Sequence, residues 1–424
     1  MESDIVVVAL AVLAFALLAG RLSGSPLTMP ILFTAMGLLL GPGVLGVLDL
    51  GVDDEVVSVL AEATLVVVLF TDASRMDLRT VLRHHGPALR LLGLGLPLAI
   101  LVGFGVGVLL LPELPLAAVA LLAVALAPTD AALGQSFVSS TVVPARVRQT
   151  LNVESGLNDG LAVPFLTVAL DVAARETGSV SGYALLLLQL VGIGIGAGVV
   201  VGWLGGKVLE WSAARDWATE TTQRLATIAL AALAYGGAEL LGGNGFVAAF
   251  TAGLVVGTSA RSLLPHTTEF AEAEGQLLTQ LTFLLFGAVV AADVIAALDW
   301  RTVLYAVLSL VLVRPVAVAL SLLGSRMRLQ TVGFIGWAGP RGLASIVYAV
   351  VITDAGVPGA DEVFVVASAA IFLSIVLHGV TSAPLSARYG AFMQQHSSPD
   401  AVEHRTAGDL PLRMPARRSG DSSA

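Results

Sequence analysis

Long apolar runs recur along this chain, each closed by charges or by Gly and Pro. Crossing a bilayer takes ~20 predominantly apolar residues in a helix, and on that measure the runs predict about 13 spans. Their extents are 5–20, 27–47, 56–73, 88–111, 115–138, 148–170, 183–209, 222–241, 245–258, 276–297, 302–323, 331–353 and 363–387. The ninth is short for a crossing. Between 127 and 160 the pattern is broken by polar residues, in APTDAALGQSFVSSTVVPARVRQTLNVESGLNDG. Flanking stretches, 114–126 and 161–168, are largely apolar, so Thr129, Asp130, Glu154, Ser155, Asn158 and Asp159 sit where hydropathy places membrane. A carboxylate at that depth costs about 2.5–3.5 kcal/mol on insertion scales, which makes each one a functional candidate.

The spacing narrows their purpose. Pro128 lacks a backbone donor and clashes with the preceding turn, so span five should break near Thr129. Asp130 would then be placed to cap the second half-helix. On span six, Glu154 and Asn158 are four apart, as are Ser155 and Asp159, so each pair shares a helical face. A broken helix beside a polar-faced helix is how secondary transporters build small-cation sites. Pro340, in GWAGPRGLAS, breaks span twelve in the same way. Seven spans separate the two breaks, and an odd shift inverts the second unit. The predicted fold is therefore an all-α polytopic membrane protein with two inverted six-helix repeats. Repeat one covers about 5–170, a linker helix 183–209 and repeat two about 222–387. Together they make a transmembrane domain over 1–390, and the polar, aperiodic stretch 391–424 reads as a disordered tail.

Composition agrees: 56% of residues are hydrophobic, 12% are charged and mean hydropathy is +0.89. An ordinary soluble domain carries about 25% charged residues and is excluded. The absence of cysteine excludes disulfides, thiolate catalysis and Cys-ligated metals. Glu2 and Asp4 stand where a signal peptide has its basic region, so the first run reads as a span. The net charge of −9 says little until the charges are placed. Of the 22 Lys and Arg residues, 18 fall in alternate loops on one side, only Arg175 and Arg301 on the other, and Arg314 and Arg341 within spans. By the positive-inside rule the C-terminus is cytoplasmic and the N-terminus outside. His84, His85 and His266 fall in cytoplasmic loops, as solvated residues or pH sensors.

Each embedded charge has competing readings. Burial disfavours a carboxylate's charged form and a bound cation favours it, so proton and cation would compete for Asp159. The rival reading of Asp159 is a structural carboxylate satisfied by a neighbouring helix. Thr129 and the freed carbonyls of the break are hard oxygen ligands; Asp130 could ligate or only cap. Glu154 needs a cationic partner, with Arg314 in span eleven and Arg341 at the break of span twelve as candidates. Arg341 could instead neutralise the negative ends of half-helices meeting there. Asp72 closes span three, either at a cytoplasmic entrance or as N-cap of a helix over 76–83. Glu62 has no evident role, and Glu239 belongs near the outer interface.

At PTD (128–130) and ESGLNDG (154–160) the chain resembles the monovalent cation:proton antiporters of the NhaP and eukaryotic sodium/proton-exchanger type, over roughly Ile5 to Tyr389. The second motif is the specific one. Asn158–Asp159 stands where electrogenic relatives such as NhaA carry two aspartates. The resemblance implies an NhaA-like fold with crossed discontinuous helices, usually assembled as a homodimer in the cell membrane. It implies exchange of Na⁺ or Li⁺ for H⁺ by alternating access, with neither cofactor nor nucleic-acid partner. It also implies Thr129, Ser155 and Asp159 as ligands, Asp130 acting through water, and Glu154 paired with Arg314 to hold span six and Asn158. An acidic residue near Asp72 and a Gly-rich arginine motif at Arg341 are similar to the family's, though leucine is commoner where Pro340 stands. One exchanging carboxylate beside a Glu–Arg pair argues for electroneutral exchange. K⁺/H⁺ exchange by the same machinery is the close rival. A cation channel would need a continuous polar lining. An intramembrane hydrolase using Ser155 or Ser136 would need an embedded His nearby, which hydropathy does not identify, and the sequence has neither HExxH nor GxSxG. No nucleotide-binding loop supports a primary pump.

Overall fold

The computed structural model describes residues 28–48, 55–76, 86–130, 133–174, 180–260, 264–397 and 401–404, with scattered positions between 6 and 17 and at 78, 81 and 82. Over 180–184, 264–274, 291–293 and 295–296 and at 404 only the backbone is described. The described elements are helical, and no strand occurs among the described residues.

Helix α1 (Met29–Leu40) carries Pro30 in its first turn, where a missing N–H costs nothing. It is followed by α2 (Glu55–Ser74) and by α3 (Gly86–Leu110), which contains a π turn at Leu91–Gly95. Next come α4 (Leu116–Ala125), the five-residue α5 (Gln135–Ser139) and α6 (Ala145–Ala174). Helix α7 runs from Val180 through a π turn at Val201–Gly205 to Ala213. Helix α8 (Glu220–Leu240) is capped by Thr219, and α9 (Gly245–Ser259) by Asn244, whose Oδ1 accepts from the Val247 amide at 3.0 Å. Helix α10 spans Leu264–Ala296. Asp299 caps α11 (Trp300–Ser321), and hydrogen bonds from Thr302 hold its carboxyl below the usual range. Then come α12 (Leu329–Trp337), α13 (Leu343–Asp354) and α14 (Ala360–His396).

Six of the helices are long and apolar enough to cross a membrane by length and composition: α2, α3, α6, α7, α11 and α14. From the second run onward each expected span carries helix, and the fifth and twelfth carry two short helices around a proline-bearing break. Helix α4 ends at Ala125 and α12 at Trp337, each a few residues before Pro128 or Pro340. A proline cannot supply the amide that would close the last turn, so the chain leaves helix early. Two boundaries differ from expectation. The second run yields only 12 helical residues before a turn at Gly41. Helix α10 starts at Leu264, so His266 belongs to a helix rather than a loop; His84 and His85 lie outside the described residues.

The expected tail differs at its start, while 398–400 and 405–424 lie outside the described residues. Composition predicts disorder from 391, yet α14 continues to His396 and a 3₁₀ turn occurs at Val402–His404. Met393 is buried on the extended helix, and Glu403 is 1% exposed. A continuation of the helix with one inward face is enough to carry α14 to His396. Composition, which averages over the window, conceals it.

Helix α6 is central. It packs against α2, α3, α4, α5, α7, α9, α12 and α13, and its N-terminal part meets the tail turn. The buried apolar side chains form one large cluster and a smaller one that includes Phe137, Leu151, Phe334, Tyr389 and Met393. The smaller cluster draws on α5 and α12, one half-helix from each break.

Candidate functional site

Every residue of α6 from Gln149 to Gly160 is buried. Polar side chains on all sides of this stretch must therefore be answered by protein groups. For Glu154 the answer is Arg314, which donates from Nη1 to Oε1 at 2.9 Å and from Nη2 to Oε2 at 3.0 Å. This two-pronged geometry is the strong form of such a pair. Arg314 opens the α-helical stretch after the π turn Ser309–Val313 of α11, and its Nη2 also reaches the Ile335 carbonyl of α12 at 3.4 Å. Pairing leaves Arg341 for another task.

That task lies at the crossing of the two breaks. The Asp130 amide donates to the Pro340 carbonyl at 2.8 Å, joining break to break. Arg341 Nη1 donates to the carbonyls of Ala127 and Pro128, both at 3.3 Å, where α4 ends. A guanidinium there offsets the partial negative charge of a helix C-terminus. Asp130 does the converse, its Oδ2 accepting from the Leu343 amide at the start of α13 at 2.9 Å. Its Oδ1 takes the Leu133 amide at 3.4 Å. The expected cap on its own half-helix is thus the weaker contact. The stronger cap is across the crossing, which sequence distance hides.

Two glycines permit this closeness. A Cβ on Gly342 would fall on the Asp130 carboxylate, and one on Gly339 on the Arg314 guanidinium. The Gly-Pro-Arg-Gly stretch thus places a glycine against each of these charged groups. Gly342→Ala is expected to cost about 1–3 kcal/mol of stability, the usual range for overpacking. A melting temperature unchanged from wild type would contradict that.

Between the crossing and α6 lies a hydroxyl and amide cluster. Asn158 Nδ2 donates to Thr129 Oγ1 at 2.7 Å, and Thr129 Oγ1 lies 3.2 Å from Ser155 Oγ. Asn158 Oδ1 has no hydrogen-bond partner among the described residues. Asn158, Glu154, Arg314 and Ala127 border a cavity of about 10 Å³, closed by the π turn of α3 at Leu91 and Gly95, roughly the space of one water. Asp159, 8% exposed, comes directly after Asn158 on α6. Its backbone carbonyl accepts from the Tyr348 hydroxyl of α13 at 2.5 Å, tying this turn of α6 to the second break. The structure therefore brings Thr129, Ser155 and Asn158 into one hydrogen-bonded group and Glu154 onto Arg314. Among the described residues no three His, Cys, Asp or Glu side chains form a metal-binding group.

Asp72 stands apart from this group. It is buried in the last turns of α2, with Oδ1 4.0 Å from Arg75 Nη1, and much of the 76–83 stretch it is expected to cap lies outside the described residues. Glu239 Oε1 accepts from the Gly245 amide at 2.7 Å, at the start of α9, and Glu62 accepts from Tyr235 at 3.3 Å.

Sequence reasoning missed His378. It lies buried on α14, with Nε2 3.0 Å from the Trp337 carbonyl and Nδ1 3.1 Å from Ser374 Oγ. Ser374 Oγ in turn accepts from the Arg341 amide at 2.7 Å. One arrangement satisfies the chain: Arg341 N–H to Ser374, Ser374 O–H to Nδ1, Nε2–H to Trp337. An embedded His does therefore lie beside the second break, contrary to expectation. Both its nitrogens are engaged in holding that break and Ser374 is fully buried, so the pair is not placed as a hydrolytic dyad. The signal is available, since His378 is an ionisable residue inside the expected span 363–387.

The sodium/hydrogen exchanger, transmembrane, family profile matches residues 6–388. A K⁺/H⁺ antiporter NhaP2 of Shewanella oneidensis is 30% identical over 265 residues, covering 60% of this chain and 44% of that protein. The match thus spans less than half the length of that relative. The K⁺/H⁺ antiporter NhaP of Alkalimonas amylolytica is 26% identical over 401 residues, 94% of this chain and 69% of that one. Among solved structures, the sodium proton antiporter MjNhaP1 of Methanocaldococcus jannaschii superposes with a TM-score of 0.75 at 21% identity, covering 91% of this chain and 98% of that chain. That likeness establishes a shared fold. With the profile spanning nearly all of its length, the chain is a multi-pass membrane protein belonging to the sodium/hydrogen exchanger family of monovalent cation:proton antiporters.

Proposed function

We propose that the protein exchanges Na⁺ or Li⁺ for H⁺ by alternating access, one for one. The observation that carries this reading is the meeting of the buried Asn158–Asp159 turn of α6 with the first break, where Asn158 Nδ2 donates to Thr129 Oγ1 at 2.7 Å. Glu154 is paired with Arg314, and Asp130 accepts from the Leu343 amide across the crossing and from the Leu133 amide of its own segment. We assign exchange to Asp159, the buried carboxylate next to Asn158 on α6, with Thr129, Ser155 and Asn158 supplying hydroxyl and amide groups to the site. Proton and cation would compete for the Asp159 carboxylate, and the crossing would move as the site turns from one face to the other. Asp130 would act on the ion through water, and Asp72 would gather cations at a cytoplasmic entrance. This reading includes thirteen spans in two inverted repeats, a cytoplasmic C-terminus and a homodimer.

K⁺/H⁺ exchange is the second reading, favoured by the names of the Shewanella and Alkalimonas relatives. Oxygen ligands do not separate these ions; cavity size and rigidity do. The deciding experiment loads liposomes bearing the purified protein with a pH indicator and adds Na⁺, Li⁺ and K⁺ in turn. The proposal expects Na⁺ and Li⁺ to move protons and K⁺ to do so weakly. A response to K⁺ alone selects the second reading, and no response to any of the three overturns antiport. Clamping the membrane potential should leave rate and end point unchanged. A shift in either would refute one-for-one exchange.

A further inference from the structure

The tail turn places an acidic side chain on one of the broken helices. We propose that Glu403 is a positioning residue for exchange, capping the half-helix α12 from the C-terminal tail and thereby holding the Arg341-bearing break in register. This rests on the exchange reading above.

Helix α12 is nine residues long, and its N-cap residue, Arg328, makes no side-chain cap of its own. Glu403 Oε1 accepts from the Arg328 amide at 2.9 Å and from Thr331 Oγ1 at 3.1 Å. Residues 328 and 331 are the N-cap and third helical positions. In a capping box an acidic side chain at the third position reaches back to the N-cap amide. Here that position holds Thr, and the carboxylate arrives from far along the chain instead. Its charge also faces the positive end of the helix. Being 1% exposed, Glu403 is docked rather than draped on the surface.

The influence of the cap extends to the site. Thr331 Oγ1 is also 2.9 Å from the Tyr389 hydroxyl. Tyr389 stacks on Phe334, ring centres 4.2 Å apart, and Phe334 meets Phe137 of α5 edge-on at 5.5 Å. The ladder so formed joins the tail to both half-helices. At the far end of α12, His378 holds the Trp337 carbonyl and Ser374 the Arg341 amide. Helix α12 is therefore a short strut pinned at both ends, with the tail at one end and the crossing at the other. The tail turn packs on α6 as well. Releasing Glu403 would fray the first turn of α12 and let Arg341 drift from the carbonyls of Ala127 and Pro128. The effect should fall on how well the site is preformed, hence on apparent KM more than on kcat.

The test uses full-length wild type, Glu403→Ala and Glu403→Gln, each in liposomes for cation-driven proton movement and in detergent for amide hydrogen exchange. Glu403→Ala is expected to raise the apparent KM roughly threefold to tenfold, the scale of a lost helix cap, with kcat changed much less. Amides over 328–334 should exchange faster in that variant, while those of α9 stay as in wild type. Glu403→Gln keeps one acceptor oxygen and should lie between. Unchanged KM and unchanged protection of 328–334 would overturn the proposal. So would a uniform loss of protection with KM unaltered, which marks a tail that only stabilises the fold. If wild type moves no protons with any cation, the exchange reading falls and the positioning role falls with it. The amide data would still report whether the cap on α12 exists.

Discussion

Replacing Asp159 by Asn should reduce cation-driven proton movement to that of protein-free liposomes while the protein remains folded. Asn is nearly isosteric and cannot release or take up a proton at any working pH. The fold should survive because the contact that ties this turn of α6 to α13 is made to the backbone: the Tyr348 hydroxyl donates to the Asp159 carbonyl, which Asn keeps. Thr129 also keeps its contacts to Ser155 and Asn158, neither of which involves the Asp159 carboxylate. Asp159→Ala removes more volume from a buried position and should cost more stability, but its transport defect should be no deeper than that of Asn. Two measurements are needed, pH-indicator fluorescence on stepping Na⁺ or Li⁺, and the melting temperature of each variant. Wild-type exchange by a folded Asn variant would refute the assignment. An inactive variant that has also lost its cooperative melt would not count in its favour, and the Asn variant is preferred for that reason.

The parts of this fold legible in the sequence are those that hydropathy and proline control. A run of apolar residues has to be helix where no water can satisfy its backbone, so the spans and the two interruptions are visible, and the charged residues within them stand out by cost. Partnering is less visible. Glu154 announces that it needs a cation; the resemblance favours Arg314, but the residues alone leave Arg341 as a rival, and the crossing shows the pairing. The direction of the Asp130 cap is hidden because its better donor, the Leu343 amide, belongs to the other break. His378 is visible as an ionisable residue within an apolar run, but its partners Ser374 and the Trp337 carbonyl are not, because they are set by how α14 meets the second break. Glu403 is lost in a tail whose average composition resembles disorder, although one carboxylate facing two orphan donors is enough to dock it. The π turn that precedes Arg314 has no sequence signature either. Cooperative features of this kind come from contacts between distant elements, and a local window does not contain them.

Arg314→Gln alone should destabilise the protein more than Arg314→Gln and Glu154→Gln together. With the guanidinium gone, Glu154 is left as a charge inside a dry helix packing, and breaking a buried pair from one side typically costs ~3–5 kcal/mol. Glu154→Gln leaves the guanidinium its contact to the Ile335 carbonyl, so that single change should be milder. In the double variant no charge remains, and two amides of similar length can still bond to each other, so much of the loss should be recovered. The cycle is read from melting temperatures of the four proteins in one detergent, and a coupling near zero would mean that the pair contributes only as two separate residues. A double variant worse than both singles combined would speak against the pairing as a stabilising unit. Transport supplies the second axis. If Glu154 serves only to hold α6 and Asn158 in place, the double variant should regain part of its exchange along with its stability. A double variant that melts like wild type yet moves no protons would give Glu154 a part in the ion's path, and Asp159 would no longer be the single exchanging group.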